Sequence, residues 1–295
     1  MTAFPDAPRL TWKLSDLSET DLTVRTAWSG GVDRLWRTGT ARGAGVRVCV
    51  LDSGVEPDHP EVGPLDGAFA VDTGPGGEPR IVKDVLGDTC GHGTACAGII
   101  RQLAPDCELV SVRVLGGDFS GTGDALLAGL RWAVRERFDV INISLSTTRQ
   151  AFAQGLRQLA DEAYFGGTLL VAAAHNSRVE SFPWRFSSVI SVGSHGEADP
   201  LHLLYNPTPP VEFFARGIDV PAPWLGGTNR RCTGNSFATP HVAGLCALLH
   251  SSHRGLTPFQ VKSLLHLGAA NVSATPDSAP ESAVPGRPDD RNGIR

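Results

Sequence analysis

The chain has 295 residues, of which 41% are hydrophobic and 19% charged, so it can bury a large core. Its formal net charge of -5 is small and gives no reason to expect nucleic acid or an anionic membrane as a partner. No apolar run reaches membrane-spanning length, and the N-terminal segment lacks the apolar stretch of a secretory signal. These features predict a cytoplasmic protein.

The cysteine pattern agrees with a reducing compartment. Six cysteines in a chain of this size do not form a disulfide framework, and we expect free thiols. The spacing of Cys90 and Cys96, with no second close pair, is a poor zinc signature. The sequence therefore predicts no metal site and no cofactor.

The first part of the chain is weakly patterned and then becomes regular. Residues 1–30 show little periodicity and are predicted to form an N-terminal extension, while 33–38 has the pattern of a short amphipathic helix. The run 46–51 is β-branched and apolar, which is typical of a buried parallel strand. Residues 55–80 are rich in Pro, Gly and Asp and are predicted to be surface loop. A helix of small residues follows at 91–100.

Strands and helices alternate along the rest of the chain. Further strands are predicted at 108–115, 138–145, 168–174 and 188–192, and further helices at 124–136, 152–165, 236–249 and 257–267. The proline-rich stretch 199–231 is predicted to be irregular, and 273–295 to be a disordered tail. The alternation predicts an α/β fold with a mostly parallel sheet.

Ser236 opens a helix that is apolar nearly all round. Free backbone N–H groups and the positive end of the helix dipole meet at such a position, so negative charge beside Ser236 would be stabilised. Pro240 lies near the helix start, where a missing N–H does little harm. An ordinary helix cap explains this serine equally well when it is considered alone.

Two other polar residues occupy related positions. Asp52 follows the first strand and His92 opens the first buried helix. Sites in an open α/β sheet form beyond the carboxyl ends of the strands, so Asp52, His92 and Ser236 are expected to converge. In that arrangement His92 takes the proton of Ser236, and Asp52 holds the His92 tautomer.

The residues around these three positions resemble the signature blocks of the subtilisin-like serine proteases. The blocks are VLDSGV at 50–55, GHGT at 91–94 and GNSFATPHVAG at 234–244, in the Asp, His, Ser order of that family. The resemblance covers roughly residues 30–270. It implies a three-layer subtilisin-like fold, with a peptidase domain at 31–272, and a serine endopeptidase of the intracellular type.

The same resemblance implies an oxyanion hole and a substrate cleft. VAAAHN at 171–176 resembles the strand that ends in the oxyanion asparagine, so Asn176 is expected to donate to the tetrahedral intermediate. The segments containing Phe119, Ser120 and Gly121 and containing Ser144, Leu145 and Ser146 resemble the backbone that binds a peptide as an added strand. Gly116 to Gly123 could cradle a phosphate instead, but it lacks the Gly-Lys-Ser/Thr ending of such loops.

Several residues depart from the family pattern. Phe237 replaces a small residue or methionine, and Asn235 replaces threonine. His175 stands where glycine usually precedes the oxyanion asparagine, so the first specificity pocket is expected to be narrower or polar, although a solvated loop histidine is an equally good interpretation. His241 is predicted to face away and to be structural. Cys96 resembles the buried thiol of the proteinase K branch.

The expected substrate is a peptide or protein, and the expected role is processing of a cytosolic precursor or leader peptide. General intracellular protein turnover and a catalytically silent peptide-binding protein remain alternatives. No prodomain of the family's usual length is apparent before residue 40. The tight calcium site of secreted relatives is also not expected, because between Ile100 and Val110 only Gln102, Asp106 and Glu108 offer side-chain carboxylate or amide oxygens.

Overall fold

The computed structural model describes residues 24–26 and 41–274. The short helix predicted at 33–38, and all but two residues of the predicted tail at 273–295, lie outside these residues. Among the described helices, none combines the length and the apolar character needed to cross a bilayer.

A central nine-stranded sheet organises the described chain. The strands of all sheets, in chain order, are β1 (Val24–Thr26), β2 (Arg47–Asp52), β3 (Gly67–Thr73), β4 (Pro79–Lys83), β5 (Glu108–Arg113), β6 (Val140–Ile143), β7 (Leu169–Ala173), β8 (Ile190–His195), β9 (Leu204–Tyr205), β10 (Phe213–Arg216), β11 (Val220–Trp224), β12 (Thr228–Cys232) and β13 (Val272–Ala274). The spatial order in the large sheet is β4-β3-β5-β2-β6-β7-β8-β10-β9. From β3 to β10 all neighbours are parallel, and only the edge strands β4 and β9 are antiparallel.

Helices cover both faces of this sheet. They are α1 (His92–Leu103), α2 (Gly123–Arg135), α3 (Ala153–Gly166), α4 (Asn235–Ser252) and α5 (Pro258–Leu267). One buried apolar cluster joins the sheet to α1, α4 and α5, and a second joins the opposite face to α2 and α3. The predicted three-layer α/β architecture is therefore confirmed.

The topology explains why polar residues gather beside β2. The chain passes from β2 through α1 to β5, and then returns past β2 through α2 to β6. The direction of winding reverses there, and such switch points leave a crevice at the carboxyl ends of the strands. Asp52, the last residue of β2, lies at this crevice.

Two sequence predictions were wrong, because glycine and proline concealed strands. The segment predicted as surface loop at 55–80 contains β3 and the first two residues of β4, whose antiparallel pairing closes through the turn at Gly74. The segment predicted as irregular at 199–231 contains β9 to β12. In β11 the prolines 221 and 223 have the same parity, so their missing N–H groups fall on one edge of the ribbon.

The predicted domain limits are not tested by the structure, although short strands lie near them. Part of the predicted N-terminal extension, β1, pairs in parallel with β13, which begins one residue before the predicted tail.

The predicted cap of α5 is confirmed: Thr257 and Gln260 form a reciprocal capping box, and Pro258 occupies the first turn.

Arg101, near the end of α1, joins two stretches of backbone, 62–64 and 105–107. Its guanidinium donates to the carbonyl oxygens of residues 62 and 64 at 3.0 Å, and to those of residues 105 and 107. The nearby carboxylates are paired with other arginines, Asp106 with Arg42 at 2.6 Å and Glu108 with Arg47 at 3.7 Å. The guanidinium of Arg101 thus satisfies carbonyl oxygens between the end of α1 and the start of β5, together with those of residues 62 and 64.

We expect Arg101→Met to lower the free energy of unfolding by roughly 3 kcal/mol, because hydrogen bonds from charged donors are worth about 1.5–3 kcal/mol and several are lost together. The control is Arg42→Met, which removes an exposed ion pair worth at most about 1 kcal/mol. Urea denaturation measures both variants. Equal effects of the two substitutions would contradict the role assigned to Arg101.

Because no tight calcium site is expected, we expect excess EDTA to leave the melting temperature unchanged. A cation that binds only the folded protein stabilises it by mass action, so removing a tightly bound ion would lower the melting temperature. Differential scanning calorimetry with and without EDTA tests this expectation. A fall of several degrees that calcium reverses would reveal a site elsewhere in the chain.

Candidate active site

Asp52 and His92 form a buried pair at the end of β2. The Asp52 side chain is fully buried, and its Oδ1 lies 2.7 Å from His92 Nδ1. The same oxygen accepts the Ser53 backbone N–H at 2.8 Å, which fixes the carboxylate plane. The carboxylate thus holds the proton of His92 on Nδ1 and turns Nε2 towards the crevice.

A second carboxylate, Asp88, holds the first turn of α1 in place. It accepts the backbone N–H groups of Gly91 and Thr94 and the hydroxyl groups of Thr94 and Ser53, at 2.7 to 2.9 Å. It therefore satisfies N–H groups at the helix start and lies at the positive end of the helix dipole. His92 is the first residue of this helix, so Asp88 positions its backbone. The sequence analysis missed Asp88, although its place four residues before His92 was a usable signal.

The charge of Asp52 changes the titration of His92. Burial disfavours the charged ring, but the Asp52 charge and its hydrogen bond outweigh this effect and raise the pKa of His92 well above the ordinary value of 6.5. A general base must be neutral to accept a proton, and a raised pKa moves the neutral form to higher pH.

We therefore expect kcat/KM to rise with pH along an acid limb whose midpoint lies well above 6.5. The measurement is the pH profile of kcat/KM with an uncharged peptide substrate, since this ratio reports the free enzyme. A limb centred at or below the ordinary histidine value would contradict the prediction, provided that circular dichroism shows a folded protein throughout.

Ser236 is the second residue of α4, one position from the helix start at which the sequence placed it. In this first turn the Asn235 N–H donates to Asn176 Oδ1 at 3.0 Å, and the Phe237 N–H donates to the Gly234 carbonyl at 3.0 Å. Within the described chain the Ser236 N–H has no acceptor, so it is free to bind an anion beside its own side chain. Ser236 Oγ and His92 Nε2 are not hydrogen bonded in this structure; such bonds often form only when a substrate binds.

Pro240 was expected to lie near the helix start, where its missing N–H does little harm. In the structure it lies further along α4, and one helical hydrogen bond is lost. It is the sixth residue of α4, so its missing N–H leaves the Ser236 carbonyl without a helical donor. The Ser144 hydroxyl replaces that donor at 2.8 Å, and Asn142 Nδ2 in turn donates to Ser144 Oγ at 3.0 Å. The end of β6 is thereby fastened to the backbone of Ser236.

Asn176 lies directly opposite the start of α4. Its Oδ1 accepts the Asn235 N–H, which leaves Nδ2 without a partner among the described residues. Asn235 reinforces the arrangement, because its own Nδ2 donates to the Ala174 carbonyl at 3.0 Å. A Cβ placed on Gly234 would lie 3.4 Å from Ser236 Oγ and 3.6 Å from Asn176 Nδ2, so both groups lie beside the same α-carbon.

Cys96 lies beneath the pair, one helical turn after His92. Its Sγ is 3.8 Å from Asp52 Oδ2, 3.9 Å from His92 Nδ1 and 3.6 Å from the Ser236 carbonyl oxygen. Burial raises the pKa of this thiol, so it remains protonated at neutral pH. Asp52, His92 and Cys96 are near enough to share a metal ion, but Asp52 and His92 already bond to each other.

Aromatic rings enclose the imidazole of His92. The Phe237 ring lies 5.0 Å from it and the Phe119 ring 6.0 Å from it, edge-on. Trp224 of β11 packs on Gly91, the residue before His92, where a Cβ would come within 2.4 Å of the indole. The sequence predicted neither the position of Trp224 nor its hairpin, because the contact joins residues far apart in the chain.

The two predicted substrate segments lie on separate sides of the crevice. Phe119, Ser120 and Gly121 follow β5 and are largely exposed, and Phe119 has a φ of 59°. Ser144, Leu145 and Ser146 follow β6 and line a cavity of about 200 Å³. The same cavity is lined by Ala173, Ala174, His175, Asn176 and Ser236. His175 therefore lies in the wall of the same cavity as Ser236 and Asn176.

His241 is buried one turn beyond Phe237, in agreement with its predicted structural role. Its Nδ1 lies 2.9 Å from the Phe237 carbonyl oxygen. Burial lowers the pKa of His241 to about 4, so the ring is neutral at pH 7. It does not line the cavity beside Ser236.

Comparisons with known proteins agree with this geometry. A family model described as the subtilase family matches residues 43–283. Subtilisin DY from Bacillus licheniformis is 32% identical over 246 residues, covering 78% of this chain and 86% of the relative. Subtilisin Savinase from Lederbergia lenta is 32% identical over 244 residues, with coverage of 79% and 86%. A solved structure of a cold adapted subtilisin-like serine proteinase matches with a TM-score of 0.62 and 27% identity, covering 81% of this chain and 90% of that one.

Proposed function

This chain belongs to the subtilase family and is a serine endopeptidase, and we propose that it processes a precursor or leader peptide in the cytosol with Asp52, His92 and Ser236 as its catalytic triad. The observation that carries the triad assignment is the buried Asp52–His92 pair at 2.7 Å beside the helix that presents Ser236.

The acylation step uses each of the three side chains once. His92 Nε2 takes the Ser236 hydroxyl proton as Oγ attacks the carbonyl carbon of the substrate, and the imidazolium then gives this proton to the leaving amine. Asp52 stays ionised and offsets the charge of the imidazolium. Water attacks the acyl-enzyme in the second half of the cycle, with His92 again as base and then as acid.

The oxyanion of the tetrahedral intermediate needs fixed donors. We assign Asn176 Nδ2 and the Ser236 N–H, because both lack partners among the described residues and both lie at the start of α4. These donors are held before the substrate arrives, so little reorganisation accompanies the reaction.

The substrate is proposed to bind as an added strand between the segments 119–121 and 144–146. Backbone hydrogen bonds would supply affinity without regard to sequence, and side-chain pockets would supply selectivity. The histidine that lines the cavity and the aromatic rings beside His92 favour a narrow range of substrates. A narrow range suits a processing enzyme better than general turnover.

The cytosolic location is proposed from the cysteines. All six are free, and Cys49, Cys96, Cys107, Cys232 and Cys246 are buried. Free cysteines throughout are typical of a reducing compartment. Fractionation of the native organism, followed by an immunoblot, tests the location independently of activity.

A serine-directed phosphonofluoridate tests the nucleophile. We expect labelling of one residue, Ser236, identified by mass spectrometry of the digested protein. Labelling at another serine, or none on folded protein, would refute the assignment.

Proteomic comparison of cells with and without the gene distinguishes precursor processing from general protein turnover. Accumulation of one or a few precursors in cells without the gene supports processing, and general stabilisation of proteins contradicts it.

A further inference from the structure

We propose that the cavity beside Ser236 selects an acidic side chain, so that the enzyme cleaves after glutamate or aspartate and His175 is the residue that recognises the carboxylate. This inference rests on the proposed function, because it assigns the cavity to the substrate residue that carries the scissile carbonyl. It goes further by naming the class of that residue.

The first observation is the orientation of the His175 ring. Its Nδ1 accepts the Ser177 backbone N–H at 3.0 Å, which is shorter than the 3.3 Å between Nδ1 and the Ser177 carbonyl oxygen. The shorter contact favours the tautomer whose hydrogen is on Nε2. In that tautomer Nε2 is a hydrogen-bond donor.

The second observation is that this donor is not used by the protein. Nε2 has no acceptor among the described residues, and the partly exposed ring lines the cavity. The Ser146 hydroxyl lines the same cavity and likewise forms no hydrogen bond with another described residue. Ser144, in contrast, already donates to the Ser236 carbonyl. Two unpaired donors thus lie where the substrate side chain enters.

The third observation is the chemistry of the remaining walls. Leu145, Ala173 and Ala174 supply the apolar surface, and none of the residues that line the cavity is Asp or Glu. A carboxylate entering here meets donors and no like charge. Hydrogen bonds to a charged acceptor are about twice as strong as neutral ones, so a carboxylate gains more than an amide of the same shape. An apolar side chain would leave both donors without partners.

The test compares three substrates, acetyl-Ala-Ala-Ala-X-p-nitroanilide with X as Glu, Gln or Leu. We expect kcat/KM for Glu to exceed that for Gln and Leu by about 10-fold or more. In His175→Gly the ratio of kcat/KM for Glu to that for Gln or Leu should fall to about 2-fold or less. Equal or better cleavage after Gln or Leu by the unchanged enzyme, or a preference that survives in His175→Gly, would overturn the proposal.

Two further variants guard this result. His175→Leu removes the donor at similar volume and replaces the glycine variant if that protein does not fold. His253→Gly is the control, because His253 is exposed at the far end of α4, about 26 Å from Ser236 at 1.5 Å per residue, and it should not change the preference.

A binding measurement separates this proposal from the proposed function. Ser236→Ala is titrated with acetyl-Ala-Ala-Ala-Glu and with its Leu counterpart in a calorimeter. If no substrate is cleaved by the unchanged enzyme, peptidase activity is refuted, yet tighter binding of the Glu peptide still supports the acidic cavity. Equal binding of the two peptides overturns the acidic cavity, whatever the activity.

Discussion

Replacing Ser236 with alanine is expected to lower kcat about 10⁶-fold without unfolding the protein, a magnitude taken from subtilisin itself, where it was measured for loss of the nucleophile. Ser236 Oγ forms no hydrogen bond with another described residue, so its removal breaks no hydrogen bond within the described chain. The hydrogen bonds that position the start of α4 are kept, because Asn176 and Ser144 bond to backbone groups of residues 235 and 236. Turnover of a peptide anilide and the melting temperature are the two measurements.

The control is Ser252→Ala on the same helix. Ser252 Oγ donates to the Leu248 carbonyl at 3.0 Å, and it lies about 24 Å along α4 from Ser236. This variant should keep full kcat. Substantial turnover by Ser236→Ala, at more than about one thousandth of the original rate after contaminating proteases are excluded, would show that another residue performs the attack.

Replacing Asn176 with alanine is expected to lower kcat about 10²–10³-fold, again a figure taken from subtilisin itself. KM should change little, because the Asn176 amide meets the oxyanion mainly in the transition state. The substitution also removes the acceptor of the Asn235 N–H, so the loss could reflect a displaced helix start. Steady-state kinetics of this variant alone do not separate the two causes.

Asn176→Asp separates them. The aspartate keeps an oxygen for the Asn235 N–H but has no donor for the oxyanion, and it adds a repelling charge. We expect it to lose at least as much kcat as the alanine variant while its melting temperature stays near that of the unchanged protein. Recovery of kcat in Asn176→Asp would mean that Asn176 acts only by holding the helix in place.

The sequence by itself determined the architecture and the main candidates for catalysis. Alternating apolar runs predicted the parallel sheet and its helices, because burial on both faces requires an uninterrupted apolar strand such as 46–51. The ends of strands and the starts of helices are local features, so Asp52, His92 and Ser236 could be placed at one edge without a structure. The same rules failed for β3, β4 and β9 to β12, because nearby glycines and prolines conceal their periodicity.

Tertiary structure decided how the site is held and what it can select. Asp88 accepts N–H groups at the start of the helix that holds His92, and Ser144 donates to the carbonyl that Pro240 leaves without a helical donor. Arg101 donates to carbonyl oxygens in two stretches of backbone, 62–64 and 105–107. The Ser144 bond joins residues 92 positions apart, and the bond between Asn176 and Asn235 joins residues 59 apart. A donor finds such an acceptor only after packing has fixed the path of both backbones. Periodicity and local propensity describe near neighbours in the chain, so they cannot predict hydrogen bonds between residues this far apart.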